Sequence, residues 1–158
     1  MAASGRIYTV SFQNVTISAA QDMILVKAGA SNPIALLSVN IGQITGTSVA
    51  NQRVRIQMLP ATVTVGSGGG AATINKWIAS DAAASATGRI NDTSQATSGG
   101  TIVDLWDDQW NIVNGFLWVP PIPSRPPVIA VSAAVRVSLD SAPSSVVTNM
   151  SLTFEELG

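Results

Sequence analysis

The chain has 158 residues, with 46 % hydrophobic and only 11 % charged residues and a net charge of −1. A typical soluble domain is about 25 % charged and a disordered chain is poor in apolar residues, so the composition excludes disorder and describes one ordered domain with little surface charge. There is no cysteine and no histidine, which excludes disulfides, thiolate or imidazole catalysis and transition-metal sites built on those ligands. The eight basic residues are spread too widely to form a phosphate-binding stripe.

From the N-terminus, Met1 to Val10 carries no apolar signal segment. Tyr8, Val10 and Phe12 alternate with Ile7, Thr9 and Ser11, which predicts a half-buried strand. Asn14 breaks the phase, and Val15 and Ile17 resume it one residue out, as at a bulge or a turn into a second strand. Met23 to Val26 is continuously apolar, the pattern of a strand buried on both faces. Ala28 to Pro33 reads as a turn. Ile34 to Ile44 is the longest strand candidate, with Leu37, Val39 and Ile41 on one face and Ser38 and Asn40 on the other. The charge-free run Ala28 to Gln52 holds no apolar block of the ~18 residues that a membrane span needs.

Gly46 to Asn51 reads as a polar loop. In the next strand candidate Val54, Ile56 and Met58 alternate with Arg53, Arg55 and Gln57, the latter set on a solvated face. Pro60 ends it, and Thr62 to Val65 could extend the pairing. The middle of the chain is irregular. Gly66 to Gly70 reads as a mobile connector or an assembly contact, Asp81 to Ala86 lacks helical periodicity, and Asn91 to Gly100 is rich in Thr, Ser and Gly. A long irregular stretch inside a compact domain is usually functional or covers something.

Thr101 to Trp110 reads as a strand and a turn, and Phe116 to Val119 as a short strand. The proline tract from Pro120 to Pro127 is expected to run extended along the surface. Val128 to Leu139 alternates again, with Arg136 on the polar side. Asp140 to Ser145 turns, and Val146 to Phe154 is the last strand. The pattern predicts an all-β fold. It would be a single-domain β-sandwich of jelly-roll type spanning 1–158, with about eight strands, long loops and a short N-terminal arm at 1–5.

Catalysis without histidine or cysteine would have to rest on carboxylates. Asp104, Asp107 and Asp108 flank Trp106 and Trp110, an arrangement that suits sugar hydrolysis or calcium but equally a polar loop whose Asp side chains cap turns. Trp77, Trp106, Trp110 and Trp118 are the candidate aromatic contact residues. Exposed, they would make a carbohydrate-stacking platform; buried, they would close the core. The glycine run lacks the Lys-Ser/Thr ending of a phosphate loop. No catalytic, cofactor-binding or metal-binding residue is expected, and the protein is expected not to be an enzyme.

Several stretches in order carry a resemblance. They are Tyr8-Thr9-Val10-Ser11-Phe12 through Ala20-Gln21-Asp22, then Val39-Asn40-Ile41-Gly42-Gln43. Arg53-Val54-Arg55-Ile56 then leads into Gly66-Ser67-Gly68-Gly69, followed by Trp110-Asn111 and finally Leu152-Thr153-Phe154-Glu155-Glu156. Together they resemble small β-rich virion proteins of tailed bacteriophages. The resemblance implies a capsid decoration (cement) protein, made in the host cytoplasm and bound outside the head to the major capsid protein as a homotrimer. No contact with nucleic acid or membrane is expected. Another virion component (tail, fibre or head–tail connector) and a carbohydrate-binding β-sandwich stand as alternatives.

Overall fold

The computed structural model describes residues 5–45, 51–111, 113–143 and 146–158. Most of the expected N-terminal arm, residues 46–50 of the expected polar loop and residues 144–145 of the last turn lie outside the described residues. Among the described residues there is no helix, and there are 14 strands where about eight were expected. In chain order these are β1 (Arg6–Ile17), β2 (Gln21–Lys27), β3 (Ile34–Thr45), β4 (Asn51–Leu59), β5 (Val63–Thr64), β6 (Gly70–Ala72) and β7 (Ile74–Lys76). They continue with β8 (Thr87–Asp92), β9 (Thr97–Ser98), β10 (Val103–Asn111), β11 (Phe116–Trp118), β12 (Val128–Ile129), β13 (Ala134–Leu139) and β14 (Val146–Glu156). Most of the surplus comprises pieces of two or three residues, too short for a period-2 signal.

The strands form two six-stranded antiparallel sheets. The front sheet runs β11-β3-β14-β1-β7, with β12 also on β3, and the back sheet runs β10-β4-β13-β2-β8-β6. β5 and β9 make a separate two-stranded ribbon. Inward side chains of both sheets fill one apolar core, including Tyr8, Val10, Ile41 and Phe154 from the front and Ile24, Val26, Ile56 and Val137 from the back. Tyr8 stacks on Phe154 with ring centroids 5.6 Å apart.

A second, smaller cluster lies on the outer face of the back sheet. Leu25, Leu59 and Ala134 point outward there and meet Val63 and Ala96 of the ribbon segment. This explains the continuous apolar run Met23 to Val26 within β2: Ile24 and Val26 enter the main core while Leu25 enters the second. It also corrects the expectation for Gln57 and Arg136. Both lie on the polar side of their strands, but the ribbon covers them, leaving 3 % and 5 % exposed.

Three further readings change. Leu36, not Leu37, is the inward residue of β3, because the register slips between the pairs Ser38↔Thr153 and Leu36↔Phe154. The run from Val128 to Leu139 is two strands in different sheets, parted by a turn at Ser132 with φ 62°. In the run Gly66 to Gly70, expected to be a mobile connector, Gly66, Gly68 and Gly69 approach neighbouring chain closely: a Cβ on Gly69 would sit 2.0 Å from the carbonyl oxygen of Ile90, whereas one on Gly70 would meet nothing within 4 Å. The expected bulge at Asn14 is present, with φ 55° and a register slip between Phe12 and Val15.

Candidate functional site

Several of the charged side chains are paired with one another. Arg53 pairs with Asp107 and Asp140, and Arg55 pairs with Asp140. The Arg53 hydrogen bonds hold the Asp107 carboxyl below the usual carboxylate range. Asp104 accepts from Gln57 Nε2 at 2.6 Å, and Asp108 accepts from the backbone N–H of Gln109 at 2.7 Å. On β10, Asp107 therefore serves ion pairing, Asp104 holds a buried amide, and Asp108 contacts the next backbone N–H within the strand. No cluster of three possible metal ligands occurs among the described residues.

Three carboxylates are buried among the described residues: Asp22, Asp92 and Glu156, the last accepting from the Ser85 N–H and hydroxyl and the Ala86 N–H. Asp22 of β2 and Asp92 of β8 are cross-strand partners, each 1 % exposed. Asp92 accepts from Arg89 and from the N–H of Gly69 at 3.1 Å. Asp22 accepts from the N–H of Ala96 at 2.7 Å, and Arg136 donates to the Ala96 carbonyl at 2.7 Å and to Gln57 Oε1 at 2.8 Å. Burial pushes the Asp22 carboxyl up to about 6, against the Ala96 hydrogen bond and the nearby Arg136 charge, both of which lower it. These groups clamp the Gly66–Gly70 turn and the ribbon segment onto the back sheet. Asp22 and Asp92 are shut away from solvent and are part of the fold's fastening.

The four tryptophans are not brought together. Trp110 and Trp118 are buried in the main core, and Trp110 Nε1 donates to the Asn114 carbonyl at 2.6 Å. Trp106 is half-buried against Phe116, with centroids 4.8 Å apart, closing the gap between the edge strands β10 and β11. Trp77 alone is open, 64 % exposed just beyond β7, and its Nε1 donates to Thr9 Oγ1 at 2.7 Å. The sequence pattern around the four gives no signal that would single it out.

What the sequence reading missed is how unevenly the charge is laid out. Ten charged residues lie in back-sheet strands, against four in front-sheet strands. Those four, Arg6, Lys76, Glu155 and Glu156, all sit at strand ends. The outer face of the front sheet is instead a lattice of neutral side chains: Thr9 faces Thr153, which faces Ser38, and Ser11 faces Ser151, which faces Asn40. Beyond Asn40 comes Leu117 of β11.

At that edge lies a ridge of exposed apolar residues. Leu117, Val119, Ile122, Val128 and Val131 are each 44–66 % exposed and fall within one stretch around the proline tract. The tract turns, with Arg125 N–H donating to the Ile122 carbonyl at 2.9 Å, and does not run extended as expected. Its prolines restrict the backbone, so the ridge is presented at low conformational cost. Only Arg125 carries a charge there. Apolar residues gathered in this way mark interaction surfaces, whereas singly scattered ones do not. No family model, no curated protein and no solved structure matches this chain.

Proposed function

We propose that the chain is a non-enzymatic structural protein of a tailed-phage virion, a capsid decoration protein that fastens adjacent subunits of the major capsid protein from outside. The observation that carries this reading is the apolar ridge from Leu117 to Val131, on the edge of a sheet whose strands are nearly free of charge. A surface of that kind gains by burial against another protein and loses little by leaving water. The engagement of Asp104, Asp107 and Asp108 in structural contacts supports a role without catalysis. The sequence resemblance to virion proteins supplies the setting.

A jelly-roll wiring belongs to the same reading. Eight of the strands support it: β1, β14, β3 and β11 lie side by side in the front sheet, and β2, β13, β4 and β10 in the back. Along the chain these strands change sheet at every step except from β4 to β10, the order of a rolled-up antiparallel hairpin. The remaining pieces come mostly from the β4–β10 insertion, which supplies the ribbon and widens both sheets.

The test is co-sedimentation of the purified protein with undecorated shells of its phage. Binding should survive high salt, since apolar contacts are not screened, and should be lost in Leu117→Asp and Val128→Asp. Release by moderate salt alone would overturn the apolar contact. A copy number far below that of the major capsid protein would move the protein to the tail, fibre or connector. Light scattering in dilute solution should give three times the 16.3 kDa chain mass if the copies associate as a homotrimer.

A further inference from the structure

We infer that the outer face of the front sheet carries a binding site for a neutral glycan, with Trp77 as its stacking platform. The site adjoins the Leu117–Val131 ridge at Asn40, the cross-strand partner of Leu117, and runs from there across β14 and β1 away from the ridge. It is built from three observations.

The first is the state of Trp77. An indole that is 64 % exposed on a free side chain would be mobile, but here the Nε1–H donates to Thr9 Oγ1 at 2.7 Å. Thr9 points outward from β1, between the inward Tyr8 and Val10. The ring is thus pinned against the outer face by its one polar atom, and its apolar surface is left for a ligand. Indole faces take the apolar C–H face of a sugar ring, and a pinned ring loses little entropy in doing so.

The second is the hollow beside it. Ser11, the next outward residue of β1 after Thr9, lies ~7 Å along the strand. From there Ser11, Gln13, Asn40, Asn149 and Ser151 rim a shallow depression of about 330 Å³. That is at the lower end of small-ligand sites, ~300–1,000 Å³, and suits one sugar unit next to another stacked on Trp77. Its width depends on Gly42, where a Cβ would find no atom within 4 Å.

The third is the chemistry of the rim. Amide and hydroxyl side chains both donate and accept, as sugar hydroxyls do. The side chains of Ser11, Gln13, Asn40 and Ser151 make no hydrogen bond to the described residues, so all four are free for a ligand. No ionisable residue lines the hollow, which selects against sulfated or uronic-acid glycans and for neutral ones.

The experiment titrates the full chain with maltohexaose, cellohexaose and N-acetylchitohexaose at up to millimolar concentration. A heparin hexasaccharide serves as the charged control, and binding is read by calorimetry and tryptophan fluorescence. Saturable, salt-independent binding of at least one neutral hexasaccharide is expected. Trp77→Ala should weaken it by about tenfold or more, and Gly42→Leu, which fills the hollow without touching the core, should abolish it at an unchanged melting temperature. The inference is overturned if none of the neutral probes binds, if Trp77→Ala binds as the parent does, or if only heparin binds and salt removes it. Val128→Asp, whose partner on β3 is Ala35 and not a rim residue, should lose the shell and keep the glycan, so failure of this site and failure of the decoration reading give different results.

Discussion

Asp22 and Arg136 meet at 3.5 Å beneath the ribbon, with side chains only 1 % and 7 % exposed. The pair holds Ala96 from both sides, through its N–H and its carbonyl, and so fixes the ribbon segment to the back sheet. Removing one partner of a buried pair leaves the other charge uncompensated, at a cost of about 3–5 kcal/mol. Arg136→Ala should therefore lower the stability measured by urea denaturation by about that amount.

Burial of Asp22, against the opposing charge of Arg136, sets an unusual pH dependence. The folded-state pKa of Asp22, about 6, lies above its ordinary value of 3.8. Between those values the folded chain holds a proton that the unfolded chain has released, so stability falls as pH rises through that window. Acidifying from neutral to pH ~5 should raise the urea midpoint, and the full contribution, reached near pH ~4, is on the order of 3 kcal/mol. Asp107 works in the opposite direction, since its lowered pKa makes its contribution vanish in stronger acid. The optimum should lie in weakly acidic solution, and Asp22→Asn should flatten the rise from neutral pH towards it.

Close backbone approach makes a different prediction for the glycine run. Gly69→Ala drives a methyl into the carbonyl of Ile90 and the backbone of Asn91, and should cost about 2 kcal/mol or more. Gly115→Ala meets nothing within 4 Å and should stay within about 0.5 kcal/mol of the parent. Thermal melts of the two variants side by side check both outcomes.

Ala61 is held at φ 54°, a conformation that costs an L-residue roughly 1–2 kcal/mol and glycine nothing. Ala61→Gly loses ~0.5–1 kcal/mol through the freer unfolded chain, so the net effect should be a small gain in stability. A urea titration showing a lower midpoint for this variant would contradict the conformational argument.

Burial of the tryptophans is open to fluorescence quenching. Trp110 and Trp118 should emit to the blue and resist acrylamide, while the quenchable fraction should come chiefly from Trp77 and fall sharply in Trp77→Phe. A quenchable fraction unchanged by that substitution would mean that another ring is exposed.

How far the sequence foretold this follows from the range of the forces involved. Alternation in β1 and the unbroken apolar run of β2 are local records of which side faces a core, and both were legible. The burial of Gln57 and Arg136 was not, because it depends on a ribbon supplied by another part of the chain. The split between β12 and β13 turns on the positive φ of Ser132, a conformation that Gly, Asn or Asp would signal and Ser does not. At the candidate site, nothing nearby in the chain distinguishes Trp77 from Trp110. One lies past the end of an edge strand and the other points between two sheets, which only the assembled fold decides.

The position of β14 has a consequence for how the chain comes to be folded. It lies between β1 and β3 and supplies the pairing that joins them, while β13 does the same between β2 and β4. Both central strands follow every strand they join in the order of synthesis. Until they emerge from the ribosome, neither sheet can close, and the apolar faces of β1 to β4 have no permanent neighbours. The fold should therefore form late, slowly and in one step, with chaperones occupying the interval in which half-built sheets could find each other.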